Sequence, residues 1–121
     1  MPKKILVVDD SESIRDVVSY TLRQEGYEVT TAFDGQDAFE KLSKETFPLV
    51  ITDLYMPRMD GLELIRKIRT LDSYKGVPIL FLTTESQLEK KRQAKSAGAT
   101  GWIVKPFQPE KLINIVKKVL R

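Results

Sequence analysis

The chain contains no cysteine and no histidine, and these absences remove much of the chemistry open to an enzyme. Without Cys there are no disulfides, no thiolate nucleophile and no thiolate metal site, which fits a reducing compartment. Without His there is no Ser-His triad and no imidazole-bound zinc or haem. Carboxylates, hydroxyls, Lys and a hard metal ion are what is left. Long apolar runs are missing as well: none approaches the roughly 20 residues that cross a bilayer, and the N-terminus lacks the apolar stretch of a secretory signal. The expected location is the cytoplasm, with no insertion into a membrane. Excess charge is small, a net +3, which tolerates an acidic partner but does not argue for nucleic acid. Within this sequence no linker, low-complexity tract or appended output domain is expected, and no short internal repeat beyond the alternation of apolar runs and helical segments.

What is present suits one globular domain over residues 1–121, with 41% hydrophobic and 31% charged residues. Short apolar runs alternate with longer segments of helical period, the pattern of a parallel sheet built from βαβ units. The expected strands are Ile5–Val8, Tyr27–Ala32, Leu49–Thr52, Val77–Leu82 and Trp102–Val104. Those around Val7, Val50 and Leu80 are continuously apolar, as where helices cover both faces. The second alternates Tyr27, Val29 and Thr31 against Glu28 and Thr30, which marks an edge strand. Asp60 with Glu63, and Ser86 with Glu89, have the spacing of capping boxes. Gly26 and Gly98 sit where left-handed C-terminal caps belong, and Pro109 suits the first turn of a last helix. That helix places Leu112, Ile113, Val116, Val119 and Leu120 on one stripe and Lys111, Lys117, Lys118 and Arg121 elsewhere. Phe33, Phe39, Phe47 and Phe81 read as core or near-core packing.

In an open parallel sheet ligands bind beyond the carboxyl ends of the strands. There the sequence is polar: Asp9 and Asp10 follow the first strand, Asp53 the third, Thr83 and Thr84 the fourth, Lys105 and Pro106 the fifth. Three crowded carboxylates repel, so such a site raises a pKa or binds a cation. Oxygen ligands select a hard ion, and Mg²⁺ suits two carboxylates plus a phosphate oxygen. A carboxylate can also attack phosphorus to give an acyl phosphate, a transfer that needs mainly positioning and charge neutralisation. Lys105 could supply that charge beside the metal, and Thr83 a hydrogen bond to the arriving phosphoryl group.

The stretches Val7-Val8-Asp9-Asp10-Ser11, Asp53-Leu54-Tyr55-Met56-Pro57-Arg58-Met59-Asp60-Gly61, Leu82-Thr83-Thr84, and Gly98-Ala99 with Val104-Lys105-Pro106-Phe107 resemble the receiver domains of two-component response regulators. The likeness covers essentially the whole chain. It implies a flavodoxin-like (βα)₅ fold with strand order 2-1-3-4-5 and helices on both faces. It also implies that Asp53 is the phosphoacceptor, that Asp9, Asp10, Asp53 and the Tyr55 backbone carbonyl hold Mg²⁺ or a substituting Mn²⁺, and that Lys105 contacts the phosphoryl group. The Lys105–Pro106 bond is expected to be cis. By the same resemblance Thr83 and Trp102 form the switch, and the fourth helix, fifth strand and fifth helix form the output surface. The chain departs from the family pattern at Trp102, where Tyr or Phe is more usual, and at Tyr55, where a smaller polar residue is common; with Glu85, Tyr55 is expected to tune dephosphorylation. The donor would be the phosphohistidine of a sensor histidine kinase, with small phosphodonors as substitutes. A phosphatase is a further implied partner, and the unphosphorylated chain is expected to be a monomer. Thr83-Thr84-Glu85-Ser86 together with residues 98–107 looks most like the single-domain chemotaxis regulators, which makes a flagellar motor switch protein the favoured output. A receiver serving a phosphorelay or another output is the alternative.

Blander roles stand beside these. Asp9 and Asp10 could cap the next helix, Asp53 could be a turn residue, Thr83 a cap and Lys105 a solvated cation; their joint occurrence on one sheet edge is what favours a site. Trp102 could simply cover an edge strand. Lys90-Lys91-Arg92 and Lys95 read as a solvated face that could help dock an acidic peptide. A flavin-binding module of the same fold needs donors for phosphate where this chain has Asp9 and Asp10. An aspartyl-phosphate phosphatase carries a D-x-D pattern, and a nucleic-acid binder a motif, neither of which is found here.

Overall fold

Each apolar run that ends in a polar residue becomes a strand, and each amphipathic run between them a helix. The computed structural model describes residues 3–120, so Arg121 lies outside the described residues. In chain order the elements are β1 (Lys4–Val8), α1 (Glu12–Gln24), β2 (Glu28–Ala32), α2 (Gly35–Lys44), β3 (Leu49–Thr52), α3 (Gly61–Arg69), a 3₁₀ turn (Asp72–Tyr74), β4 (Ile79–Thr83), α4 (Leu88–Ala97), β5 (Gly101–Val104) and α5 (Pro109–Val119). All strand pairs are parallel, in the order β2-β1-β3-β4-β5. This is the doubly wound fold expected from the sequence.

Successive side chains of a strand point to opposite faces, and that alternation divides the core. Leu6, Val8, Val50 and Phe81 pack with Leu42, Leu64, Ile65 and Ala94 of α2, α3 and α4. Ile5, Val7, Leu49, Ile51, Leu80, Leu82 and Ile103 pack with Val18 and Leu22 of α1 and Leu112 and Val116 of α5. Covered on both sides, β1, β3 and β4 have no use for polar residues until their ends. β2 is an edge: Glu28 is exposed, Val29 to Thr31 are partly buried, and only Ala32 is buried.

Several expected boundaries move, each for a local reason. β4 begins at Ile79 because Pro78 has no amide to donate to a ladder; its carbonyl accepts from Val50. Tyr27 precedes β2, its amide turned back onto the Leu22 carbonyl at the end of α1. Asp60 caps α3 through the Glu63 amide, 2.9 Å, but Ser86 does not cap α4. The helix starts one residue later, with Gln87 at the cap position and no side-chain cap bond, while the Glu85 carboxylate accepts from the Ser86 and Gln87 amides at 3.1 and 3.0 Å. Phe33 is not core. It lies 53% exposed just past the end of the edge strand, whereas Phe47 and Phe81 are fully buried and Phe39 is partly so.

Candidate functional site

The carboxyl rim of the sheet is held by backbone bonds that run one residue past the strands. The Asp9 amide donates to the Ala32 carbonyl (3.1 Å), that of Asp53 to Val8 (3.0 Å) and that of Lys105 to Thr83 (2.8 Å). Each of these residues is thereby anchored to the last residue of the neighbouring strand, and its side chain leaves the sheet at a fixed point.

Those side chains converge. Carboxylate oxygens of Asp9, Asp10 and Asp53 lie within 4.8 Å of one another. Asp9 and Asp53 are buried, at 2% and 9% exposure, and Asp10 is exposed. The Lys105 ammonium sits between the two buried ones, 2.7 Å from Asp9 Oδ2 and 3.3 Å from Asp53 Oδ2. Burial alone pushes this ammonium's pKa down, but the hydrogen bond to Asp9 and the charges of Asp53 and Asp9 outweigh it and hold the group above the usual lysine range. Asp9 Oδ1 accepts from the Ser11 amide and Asp53 Oδ1 from the Leu54 amide, at 2.9 and 2.7 Å. The cap of α1 is Ser11, whose hydroxyl accepts from the Ile14 amide, so Asp9 and Asp10 are not spent on that role. The donor set fits a hard divalent cation: all three side chains offer oxygen, and Asp10 has no ion-pair partner among the described residues.

Thr83 is fully buried at the end of β4, and its hydroxyl accepts from the Glu85 amide at 3.3 Å. Glu85 carries a small network. Its carboxylate accepts the Tyr55 hydroxyl, and its carbonyl accepts the Trp102 indole N–H at 2.9 Å. The shared proton raises the Tyr55 phenol pKa and lowers that of the Glu85 carboxyl. Trp102 is half-buried, its ring 5.5 Å from that of Phe81 and tilted by 49°. The Lys105–Pro106 peptide is cis.

Residues 5–117 match the response regulator receiver domain family. This chain belongs to that family. Receiver domains are the phosphoacceptors of two-component signalling. Chemotaxis protein CheY1 of Helicobacter pylori is 41% identical over 119 residues, 97% of this receiver and 96% of that protein. The alkaline phosphatase synthesis transcriptional regulatory protein PhoP of Bacillus subtilis is 39% identical over 121 residues; the receiver spans 50% of its length. Among solved structures, chemotaxis protein CheY4 of Vibrio cholerae superposes with a TM-score of 0.95 at 50% identity, covering 98% of this chain and 99% of that one. The receiver domain of a sensor histidine kinase of Pseudomonas aeruginosa, solved with a magnesium ion coordinated in its active site cleft, gives 0.92 at 28% identity, with 99% and 98% covered.

Two side chains beside the receiver pocket escaped the sequence reading. Asp34, 2% exposed, caps α2 through the Asp37 amide at 2.8 Å and accepts the Arg58 guanidinium, with Arg58 Nε 3.0 Å from Oδ2. The Asp37 amide lowers the Asp34 pKa most; burial opposes that, and Arg58 lowers it further. The available signal was Asp34-Gly35 directly before a helical period, a capping pattern. Nothing local marks Arg58 as its partner.

Proposed function

We propose that this receiver is a phosphorylation-dependent switch in which Asp53 takes a phosphoryl group from the phosphohistidine of a sensor histidine kinase. The observation that supports it most is the grouping of Asp9, Asp10 and Asp53 within 4.8 Å under a single ammonium that reaches two of them. Asp53 Oδ1 is occupied by the Leu54 amide, so Oδ2, beside Lys105, is the attacking oxygen. It forms the new oxygen–phosphorus bond as the phosphorus–nitrogen bond to the donor imidazole breaks and the imidazole leaves with the electron pair. Lys105 then follows the charge from carboxylate to phosphoryl oxygen, and the Thr83 hydroxyl proton donates to another oxygen. Asp9, Asp10, Asp53 and the Tyr55 carbonyl would hold Mg²⁺, or Mn²⁺ in its place. When bound, that ion neutralises the equatorial oxygens. Tyr55 and Glu85, joined over the pocket, would set how readily water reaches the acyl phosphate.

Drawing Thr83 toward the phosphoryl group disturbs its bond from the Glu85 amide, and Glu85 also receives Trp102. The output is then a changed affinity of the surface formed by α4, β5 and α5. A cleft of about 250 Å³ bounded by Lys91, Lys95, Thr100 and Trp102 supports a partner site there. The likeness to CheY1 over nearly its full length favours chemotaxis signalling in the cytoplasm to a flagellar motor switch protein. The likeness to half of PhoP favours a second reading, a receiver that controls a different output.

The test is addition of Mg²⁺ and a small phosphodonor to the wild type and to Asp53→Asn, with Trp102 fluorescence and intact mass recorded together. A Mg²⁺-dependent gain of one phosphoryl group in the wild type, absent from the variant, is expected. Equal labelling of both would refute the role of Asp53.

A further inference from the structure

The loop between Asp53 and α3 carries the one backbone oxygen assigned to the metal, and its conformation is unusual. Arg58 is the only non-glycine residue among the described residues with a positive φ, 68°. Arginine enters that region only when its surroundings impose it. On one side the loop is closed by the Gly61 amide donating to the Leu54 carbonyl at 2.8 Å. A Cβ on Gly61 would stand 2.4 Å from the Asp53 carbonyl oxygen, so α3 begins directly against the acceptor's backbone. On the other side the loop lies against the start of α2: a Cβ on Gly35 would come within 2.9 Å of Met59. Across that contact the Arg58 guanidinium meets Asp34, a carboxylate fixed by the Asp37 amide. The backbone of Tyr55 and Met56 runs between the two attachments, with the Tyr55 hydroxyl held separately by Glu85.

We infer that Asp34 and Arg58 are a positioning pair for the phosphorylation pocket, clamping the loop so that the Tyr55 carbonyl faces the metal held by Asp9, Asp10 and Asp53. The inference rests on the metal reading above. Neither side chain touches the metal or the phosphoryl group. The pair acts by fixing the loop before the ion arrives, so that binding need not order it, as supporting hydrogen bonds do around other metal sites.

Asparagine separates this role from simple electrostatics. In place of Arg58 it tolerates positive φ, and in place of Asp34 it still caps the helix; each variant loses only the ion pair. If charge alone mattered, Arg58→Asn would tighten Mg²⁺ binding and Asp34→Asn would weaken it. Positioning predicts one direction for both, each weakening binding on the order of tenfold, and a double variant no weaker than either single one. Calorimetric titration with Mg²⁺ in the absence of phosphodonor reads this directly. Deuterium uptake over residues 54–61 of the metal-free variants should rise in both, with the rest of the sheet unchanged. Unaltered affinity, opposite shifts, additive losses or unaltered uptake would overturn the inference while leaving the metal reading intact. A wild type that takes up no Mg²⁺ would overturn both.

Discussion

The Lys105 ammonium touches Asp9 and Asp53 together, so it both steadies and divides a repulsive pair. Replacing it by Met keeps the length of the stem but leaves two buried carboxylates without their cation. We expect Lys105→Met to cost about 2 kcal/mol in the metal-free protein, below the figure for a fully enclosed pair because the pocket opens through exposed Asp10. Added Mg²⁺ should raise the variant's Tm more than the wild type's, and an equal rise in both would contradict this account. Thr83 poses the converse case, a buried side chain whose hydroxyl accepts from the Glu85 amide and, in the function proposed above, would report on the pocket. Thr83→Ala should accept phosphate at near wild-type level yet show little phosphorylation-dependent change in partner affinity, measured on the labelled protein. The residues that end apolar runs were legible in the sequence because a covered strand excludes polar groups until its last position. The Tyr55–Glu85 and Asp34–Arg58 contacts were not. Their partners stand 30 and 24 positions apart; the first pair follows the neighbouring strands β3 and β4 and the second follows β2 and β3 with β1 between them, so only the sheet order and the reach of long side chains bring them together.

Among the elements, the end of α4 shows how one residue can fasten several segments. The Arg69 guanidinium, at the end of α3, donates to the carbonyls of Tyr74, Val77 and Gly98. It thus ties the 3₁₀ turn, the approach to β4 and the C-cap of α4 to one point. Gly98 has φ +114°, and a Cβ there would stand 2.9 Å from Arg69 Nε; Gly26 has φ +90° and open space around it. Both glycines answer the sequence's expectation of left-handed caps, but their neighbours differ. We expect Gly26→Ala to cost about 1 kcal/mol from backbone strain alone, and Gly98→Ala about 2 kcal/mol because the guanidinium must also give way. Urea unfolding of the two variants measures the difference, and equal losses would remove Arg69 from the explanation. The starts of β4 and α4 were displaced in the sequence reading for a related reason. Val77 and Ser86 have the right chemistry for their expected roles, but Pro78 delays the ladder and the Glu85 carboxylate engages the Ser86 amide.

At the scale of the whole molecule, the shifted groups act on stability in two pH windows. Lys4, Lys105 and Lys117 have raised pKa values, as do Tyr55 and Tyr74. A raised value means the folded state holds its proton more tightly. That contribution is complete below the unfolded values, about 10 for both residue types, and is lost as pH climbs through the folded ones. Asp34 and Glu85 are lowered, so their contribution is present above the unfolded values near about 4 and is lost as pH falls below them. Tm should therefore hold a plateau from about pH 5 to about pH 10 and decline on both sides; a Tm still rising at pH 11 would contradict the alkaline limb. The layered βα order behind this was legible because the apolar runs and helical periods alternate so regularly, whereas the electrostatic pairs are products of the fold. One consequence concerns synthesis. Lys105 and Asp9 lie 96 positions apart, so while the chain emerges from the ribosome the pocket's Asp9, Asp10 and Asp53 are all made before the lysine that balances them. The charge of the pocket is settled only once the last strand, β5, has been translated.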